Sequence, residues 1–172
     1  MAATYTLISS VTVGSGGAAS MSFISIPSTY TDLCLVLSAR GDNAALYNVP
    51  DIRPNNQQPT NTGATNMRYL QGDGASASSG QDGLIKTIIP AANNTASTFS
   101  NNQIYIPNYT SSNYKSLSIE SVDENNATTG YLTMTAALWD RTTAISSLYI
   151  YPSASANFVQ YSTAYLYGIS SS

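Results

Sequence analysis

Apolar and polar residues alternate along most of this chain, in runs of six to ten residues rich in Val, Ile, Thr, Tyr and Phe. Clusters of Gly, Pro, Asn and Ser separate the runs. A period of two sends successive side chains to opposite faces of an extended backbone, so the runs predict strands. They fall at 4–13, 20–26, 33–39, 49–53, 67–71, 84–89, 99–106, 114–123, 131–139, 145–151 and 158–169, about eleven in all. No segment carries the 3.6-residue period of a long amphipathic helix, which leaves no room for a parallel α/β layout.

Several runs predict their own placement. The first two, separated by "GSGG" (Gly14 to Gly17), are spaced to close as a hairpin, and Pro27 stops the second. Leu33, Leu35 and Leu37 alternate with Cys34, Val36 and Ser38, so both faces of that strand are apolar or small and Cys34 is expected in the core. In 131–139, Leu132, Met134, Ala136 and Leu138 form one face and Tyr131, Thr133, Thr135, Ala137 and Trp139 the other; the first set is the expected core face. In the last run Val159, Tyr161, Thr163, Tyr165 and Tyr167 share a face whose hydroxyls would reach a partner or water.

Turn signals in the second half, "PNYTSSN", "DENNATTG", "DRTTA" and "PSASAN", recur at short intervals. The fold class is therefore all-β, an antiparallel β-sandwich or jelly-roll-like single domain spanning residues 1–172. Residues 1–13 would form an edge strand or a detached N-terminal arm. The irregular stretch 41–83 would be a long loop, functional or at an interface.

Composition narrows the chemistry. Of 172 residues only 15 are charged, and 26 Ser, 19 Thr and 15 Asn make up about a third of the chain. The surface must be neutral and rich in hydroxyls. Histidine is absent and Cys34 is alone, which removes histidine acid–base catalysis, Cys/His zinc sites and an internal disulfide. Six scattered Lys and Arg residues make no basic stripe for nucleic acid. No Lys or Arg precedes Arg40 and no apolar run approaches the ~20 residues that span a bilayer, so neither a secretory leader nor a membrane is expected.

The motifs with chemical content have blander readings. Gly14 to Ala19 fits a loose dinucleotide fingerprint, but a β-type run follows where a helix is needed. Ser112 and Lys115 have the serine–lysine spacing of acyl enzymes, but lie where a loop enters a strand. The run from Asp123 to Asn126 begins like a calcium loop, then offers alanine and Met134 where oxygen ligands are required. Glu120 and Asp140 are the best placed acids for glycoside hydrolysis, yet nothing pairs them. The sequons at Asn93, Asn108 and Asn126 read as Asn/Thr-rich composition. Thirteen tyrosines and one tryptophan raise sugar stacking; Tyr109, Tyr114, Trp139, Tyr149 and Tyr151 are the candidate interface or glycan contacts, with packing in the sandwich as the competing role. No catalytic residue, metal or cofactor is expected.

Three segments are more specific than their composition: "SMSFISIPSTYTDLCLVLSAR" (20–40), "IYIPNYTSSNYKSLSIESVDENNATTGY" (104–131) and "AISSLYIYPSASANFVQYSTAYLYGI" (144–169). In these phrases the chain resembles small β-sandwich virion structural proteins of tailed bacteriophages, of the cyanophage type. The resemblance implies a non-enzymatic capsid decoration or cement protein that binds the outer face of the major capsid protein and stabilises the head. A fibre component or receptor-binding module that recognises host polysaccharide is the alternative it leaves open. It also implies a homo-oligomer, a trimer first and a dimer second, made in the bacterial cytoplasm and residing on the virion surface.

Overall fold

The structure is a computed structural model that describes residues 4–60, 67–72, 77–123, 126 and 130–170. The fold is all-β: among the described residues there is no helix, and every strand pairing is antiparallel. The strands are β1 (Tyr5–Thr12), β2 (Met21–Phe23), β3 (Asp32–Ser38), β4 (Tyr47–Asn48), β5 (Asp51–Pro54), β6 (Met67–Gly72) and β7 (Ala77–Asp82). They continue with β8 (Ile89–Pro90), β9 (Ser100–Ile106), β10 (Lys115–Asp123), β11 (Tyr131–Trp139), β12 (Leu148–Tyr151) and β13 (Thr163–Ile169). Eight of them form one sheet in the order β1-β13-β3-β9-β10-β11-β6-β7; β2-β12-β5 and the two-residue pair β4-β8 make smaller sheets.

The core lies between the large sheet and β2-β12-β5. Leu33, Leu35 and Leu37 of β3, Ile104 and Ile106 of β9, Leu117 and Ile119 of β10 and Leu166 of β13 meet Met21 and Phe23 of β2, Ile52 of β5 and Leu148 and Ile150 of β12 in one buried cluster. This is sandwich packing, with alternate residues of each strand turned inward. The register carries the alternation across the sheet, so that Leu166, Leu35, Ile104 and Ile119 stand side by side in one inner row.

Strand β10 shows how strictly the alternation is kept. Lys115, Leu117, Ile119, Ser121 and Asp123 are all buried, while Ser116, Ser118, Glu120 and Val122 are exposed. A buried ammonium and a buried carboxylate thus stand at opposite ends of one inward face. The Lys115 Nζ donates to the carbonyls of Asn113 (2.6 Å), Thr143 (2.9 Å) and Arg141 (3.3 Å), and burial lowers its pKa. At the other end Asp123 accepts from Asn94 Nδ2 at 3.2 Å. Beside it the buried Arg40 donates through Nη1 to the carbonyl of Thr95 (2.7 Å) and through Nη2 to that of Asn94 (3.0 Å). Desolvation lowers the Arg40 pKa and the Asp123 charge opposes that change. Buried charges persist only where such partners replace water.

Several sequence expectations are corrected. The runs at 4–13 and 20–26 make no hairpin: β1 pairs with β13 and β2 with β12, and the turn at Gly14–Gly17 carries the chain from one sheet to the other. There the Gly17 N–H donates to Gly14 O at 3.1 Å, and Gly17 has a φ of 70°, which glycine adopts freely. Residues 5–12 are an edge strand and not a detached arm. The stretch 41–83 is no single loop, since it holds β4, β5, β6 and β7. Strand β7, "ASSGQD", has no apolar period to betray it. The run at 84–89 contributes only Ile89 to a strand, and that at 158–169 begins pairing at Thr163, after Tyr161 turns at a φ of 72°. Among the described residues the strands number thirteen, two more than the periodicity counts.

The facing of β11 is inverted. Thr133, Thr135, Ala137 and Trp139 are buried, while Leu132, Met134 and Leu138 are 52%, 56% and 40% exposed. Leu117 pairs with Ala137 and Ile119 with Thr135, so once Leu117 and Ile119 face the core, a period of two turns the whole odd set inward. Trp139 becomes wholly buried, its indole N–H donating to Gln57 O at 3.3 Å and its ring 5.7 Å from the Lys115 Nζ. Cys34 is buried as expected but on the other face, opposite the core leucines and between Tyr105 and Tyr167 of the flanking strands.

This facing sets opposite costs for neighbouring residues. Trp139→Ala is expected to lose about 3–5 kcal/mol of stability, and Leu132→Ser to stay within about 0.5 kcal/mol of the parent. Urea unfolding of the two variants measures both.

Candidate functional site

The outer face of the eight-stranded sheet holds most of what the fold leaves uncovered. Leu70 on β6, Val122 on β10 and Leu132, Met134 and Leu138 on β11 all point away from the core and are 40–63% exposed. The register places them together: Met134 stands between Leu70 and Glu120, and Leu132 beside Val122. Around Met134, Ala136, Leu70 and Ser118 the twisted sheet forms an open groove of about 690 Å³. Scattered exposed apolar side chains are ordinary, but a contiguous cluster on one sheet face marks a contact surface.

Charge on this face is sparse and balanced. Arg68 and Glu120 flank Met134 and Ala136 on opposite sides, both on the rim of the groove. Neither makes an ion pair or side-chain hydrogen bond with any described residue. A surface of this kind selects partners by apolar area and shape, with one donor-bearing and one acceptor-bearing side chain to fix orientation.

Further along the same face, at the β1 edge, tyrosines join the exposed Leu7, which pairs with Tyr167. Tyr5 and Tyr167 meet edge to face with centroids 6.4 Å apart, and Tyr165 is exposed beside them. Tyr105 donates through its hydroxyl to Asp32 Oδ2 at 2.5 Å. Asp32 also accepts the Asn108 N–H through Oδ1 at 2.8 Å, which joins the start of β3 to the turn after β9. The hydrogen bond to Asp32, then burial and the nearby carboxylate charge, push the Tyr105 phenol up to about 12.

The five aromatic candidates do not form one row. Tyr109 and Trp139 are wholly buried, which takes them out of any surface contact; the Tyr109 hydroxyl donates to the Pro27 carbonyl inside the fold. Tyr114 is exposed in the turn before β10. Tyr149 and Tyr151 alternate with the buried Leu148 and Ile150 and so lie on the outside of the small sheet, stacked 6.1 Å apart at 4°. Arg53 covers the Tyr151 ring at 4.7 Å, and the Tyr151 hydroxyl donates to Asn56 Oδ1 at 2.9 Å. The pair is a local brace on the face opposite the apolar groove.

No family model, curated protein or solved structure matches the chain.

The remaining chemical motifs take structural roles where they are described. The Lys115 ammonium is held by three carbonyls, and Ser112 is an exposed turn residue. Asp123 is bound by Asn94, and residues 124, 125 and 127–129 of the calcium-like run lie outside the described residues. Asp140 accepts the Thr60 N–H at 2.6 Å, while Glu120 stands on the outer face. No group of three His, Cys, Asp or Glu that could hold a metal occurs among the described residues. No described helix is long and apolar enough to cross a membrane.

The Tyr105–Asp32 bond has a pH signature. A phenol raised in the fold stabilises it fully below the ordinary tyrosine value of about 10, and that contribution is lost as pH rises through about 12. In an alkaline titration followed by phenolate absorbance, Asp32→Asn is expected to move one tyrosine to an earlier midpoint, and Tyr105→Phe to remove that late titration.

Proposed function

We propose that this protein is a non-enzymatic structural component of a bacteriophage virion, a capsid decoration protein that adheres to the outer face of the major capsid protein. One observation carries the reading: an apolar strip of Leu70, Val122, Leu132, Met134 and Leu138 on the outer face of the large sheet, while hydroxyl and charged residues take inward positions on the same strands. Covering the exposed half of Leu132 and of Met134 is worth about 1 kcal/mol for each side chain. A partner that covers this face recovers it.

The resemblance of the phrases at 20–40, 104–131 and 144–169 to virion proteins supports the major capsid protein as that partner. The surface supplies a means of adhesion. Contact through a neutral, apolar and hydroxyl-bearing face is insensitive to salt, as suits a particle that meets varied media. In this reading the subunits also assemble with one another, as a trimer or a dimer at the lattice symmetry positions.

The alternative, a fibre or receptor-binding component that recognises host polysaccharide, draws support from a cleft on the inner side of the large sheet lined by Tyr47, Tyr69, Thr133 and Thr135. Both readings describe a non-enzymatic adhesion protein.

Binding of the purified protein to phage heads that lack it, followed by cosedimentation, tests the capsid reading. The wild-type chain is expected to cosediment at low and high salt alike. Met134→Asp, which puts a carboxylate in the middle of the apolar strip, is expected to weaken binding at least tenfold while leaving the unfolding midpoint near that of the parent. Equal binding by the variant contradicts the assignment of this face.

A further inference from the structure

The inner face of the large sheet changes character between β10 and β6. One row across it runs Leu166, Leu35, Ile104 and Ile119 and then Thr135, Tyr69 and Gly80. The next runs from Leu37 through Asn102 and Ser121 to Thr133. The first half of each row is covered by the small sheet. Beyond β10 the covering layer stands off, and a cleft of about 310 Å³ opens between β11, β6 and the segments around Tyr47, Thr87 and Ser153.

The polar groups on its walls are of two kinds. Some are already engaged: Thr87 Oγ1 and Ser121 Oγ lie 2.6 Å apart, and Asn102 Nδ2 donates to Thr87 Oγ1 at 3.0 Å. Others are not. Thr133 and Thr135 are each only 7% exposed, both line the cleft, and neither side chain makes a hydrogen bond with any described residue. Two residues apart on a strand, their hydroxyls stand roughly 6.5 Å from one another on the same wall. Neither hydroxyl is among the side-chain atoms shut away from solvent without a partner, so both open into the cleft and are free to pair with an occupant that enters it.

The rest of the lining defines that occupant. Lys86 Nζ and Asp82 Oδ2 form an ion pair at 2.6 Å on the wall, which presents a donor and an acceptor side by side with no net charge. Partial burial pulls the Asp82 carboxyl upward, but the hydrogen bonds from Lys86 and the Leu84 N–H and the Lys86 charge outweigh it, so Asp82 stays ionised. Two aromatic faces complete the site. The Tyr69 ring lies directly over Gly80, where any Cβ would collide with it, and the Tyr47 ring packs on Tyr131 with centroids 4.8 Å apart. Both tyrosines line the cleft, and these neighbours hold their rings in place.

We propose that this cleft binds a neutral saccharide of one or two pyranose rings. A pyranose offers an apolar C–H face for a tyrosine ring and an edge of hydroxyls, each able to donate and accept, for Thr133, Thr135 and the Asp82–Lys86 pair. A charged ligand is disfavoured because the lining carries no excess of either sign. The volume lies at the small end of the roughly 300–1,000 Å³ typical of ligand pockets, which suits a terminal sugar unit and not an extended polymer. This site uses none of the five aromatic residues singled out from sequence. It lies on the sheet face opposite the apolar strip, so it rests on the alternative, saccharide-binding reading and not on the capsid one.

The test is saturation-transfer NMR of the full chain with the methyl glycosides of glucose, galactose, mannose and N-acetylglucosamine, and with maltose and lactose. At least one of these is expected to give saturable transfer that weakens about tenfold in Thr135→Val and in Thr133→Val. Each change removes an unpaired hydroxyl and keeps the side-chain shape, so the fold should survive; a thermal melt of each variant checks this. Absence of saturable transfer from every probe, or undiminished binding in both folded variants, overturns the proposal. Because the readout is sugar binding by the isolated protein, its failure is distinct from failure of head attachment.

Discussion

The alternation on β10, with Lys115 and Asp123 buried at its two ends, is the constraint on which the rest of the fold depends. A slip of one residue would bury Glu120 and three other outward residues and expose Leu117 and Ile119. It would also strand an ammonium away from the three carbonyls that hold it. Removing one partner from such a buried ionic site costs roughly 3–5 kcal/mol, so the register is strongly fixed. Because β9 and β11 both pair with β10, its facing becomes theirs, and the large sheet inherits its inside and outside from one strand.

The most consequential result of that inheritance is β11. Its threonines are turned in and its larger aliphatic residues out, the reverse of what hydrophobicity alone would choose. The same inversion makes both surfaces of interest. Outward, Leu132, Met134 and Leu138 join Leu70 and Val122 in an apolar strip open to a partner. Inward, Thr133 and Thr135 place unpaired hydroxyls where the covering layer stands off the sheet. Exchanging the two sets would bury the aliphatic side chains and turn the hydroxyls to water. Retaining them in this order fits a sheet that works on both faces, a division of labour that the proposed adhesive and sugar-binding roles would explain.

Much of this fold is legible in the sequence, because period-two patterns over nine residues leave little choice: 131–139 is β11 to the residue, and 99–106 and 114–123 each begin one residue before the strand they predict. Facing is harder than existence. Either side of β11 satisfies a period of two, and only the pairing of Leu117 with Ala137 decides between them. Pairing partners are harder still. The turn at Gly14–Gly17 looks like a hairpin, yet β1 finds β13 more than 150 residues away, since sequence spacing does not encode long-range order. Residue type and position near strand ends do not separate buried Tyr109 and Trp139 from exposed Tyr114. The cleft was hidden because Tyr47, Tyr69, Asp82, Lys86 and the two threonines come from distant segments. Its one local signal was the pair of threonines spaced two apart on an otherwise apolar strand.

The proposed capsid role places the protein on a phage head, adhering through the outer face of its large sheet. Immunogold electron microscopy of intact particles, with antibody raised against the purified protein, tests this most directly. Gold distributed over the whole head is the predicted result. Gold confined to the tail or to projecting fibres contradicts the capsid assignment.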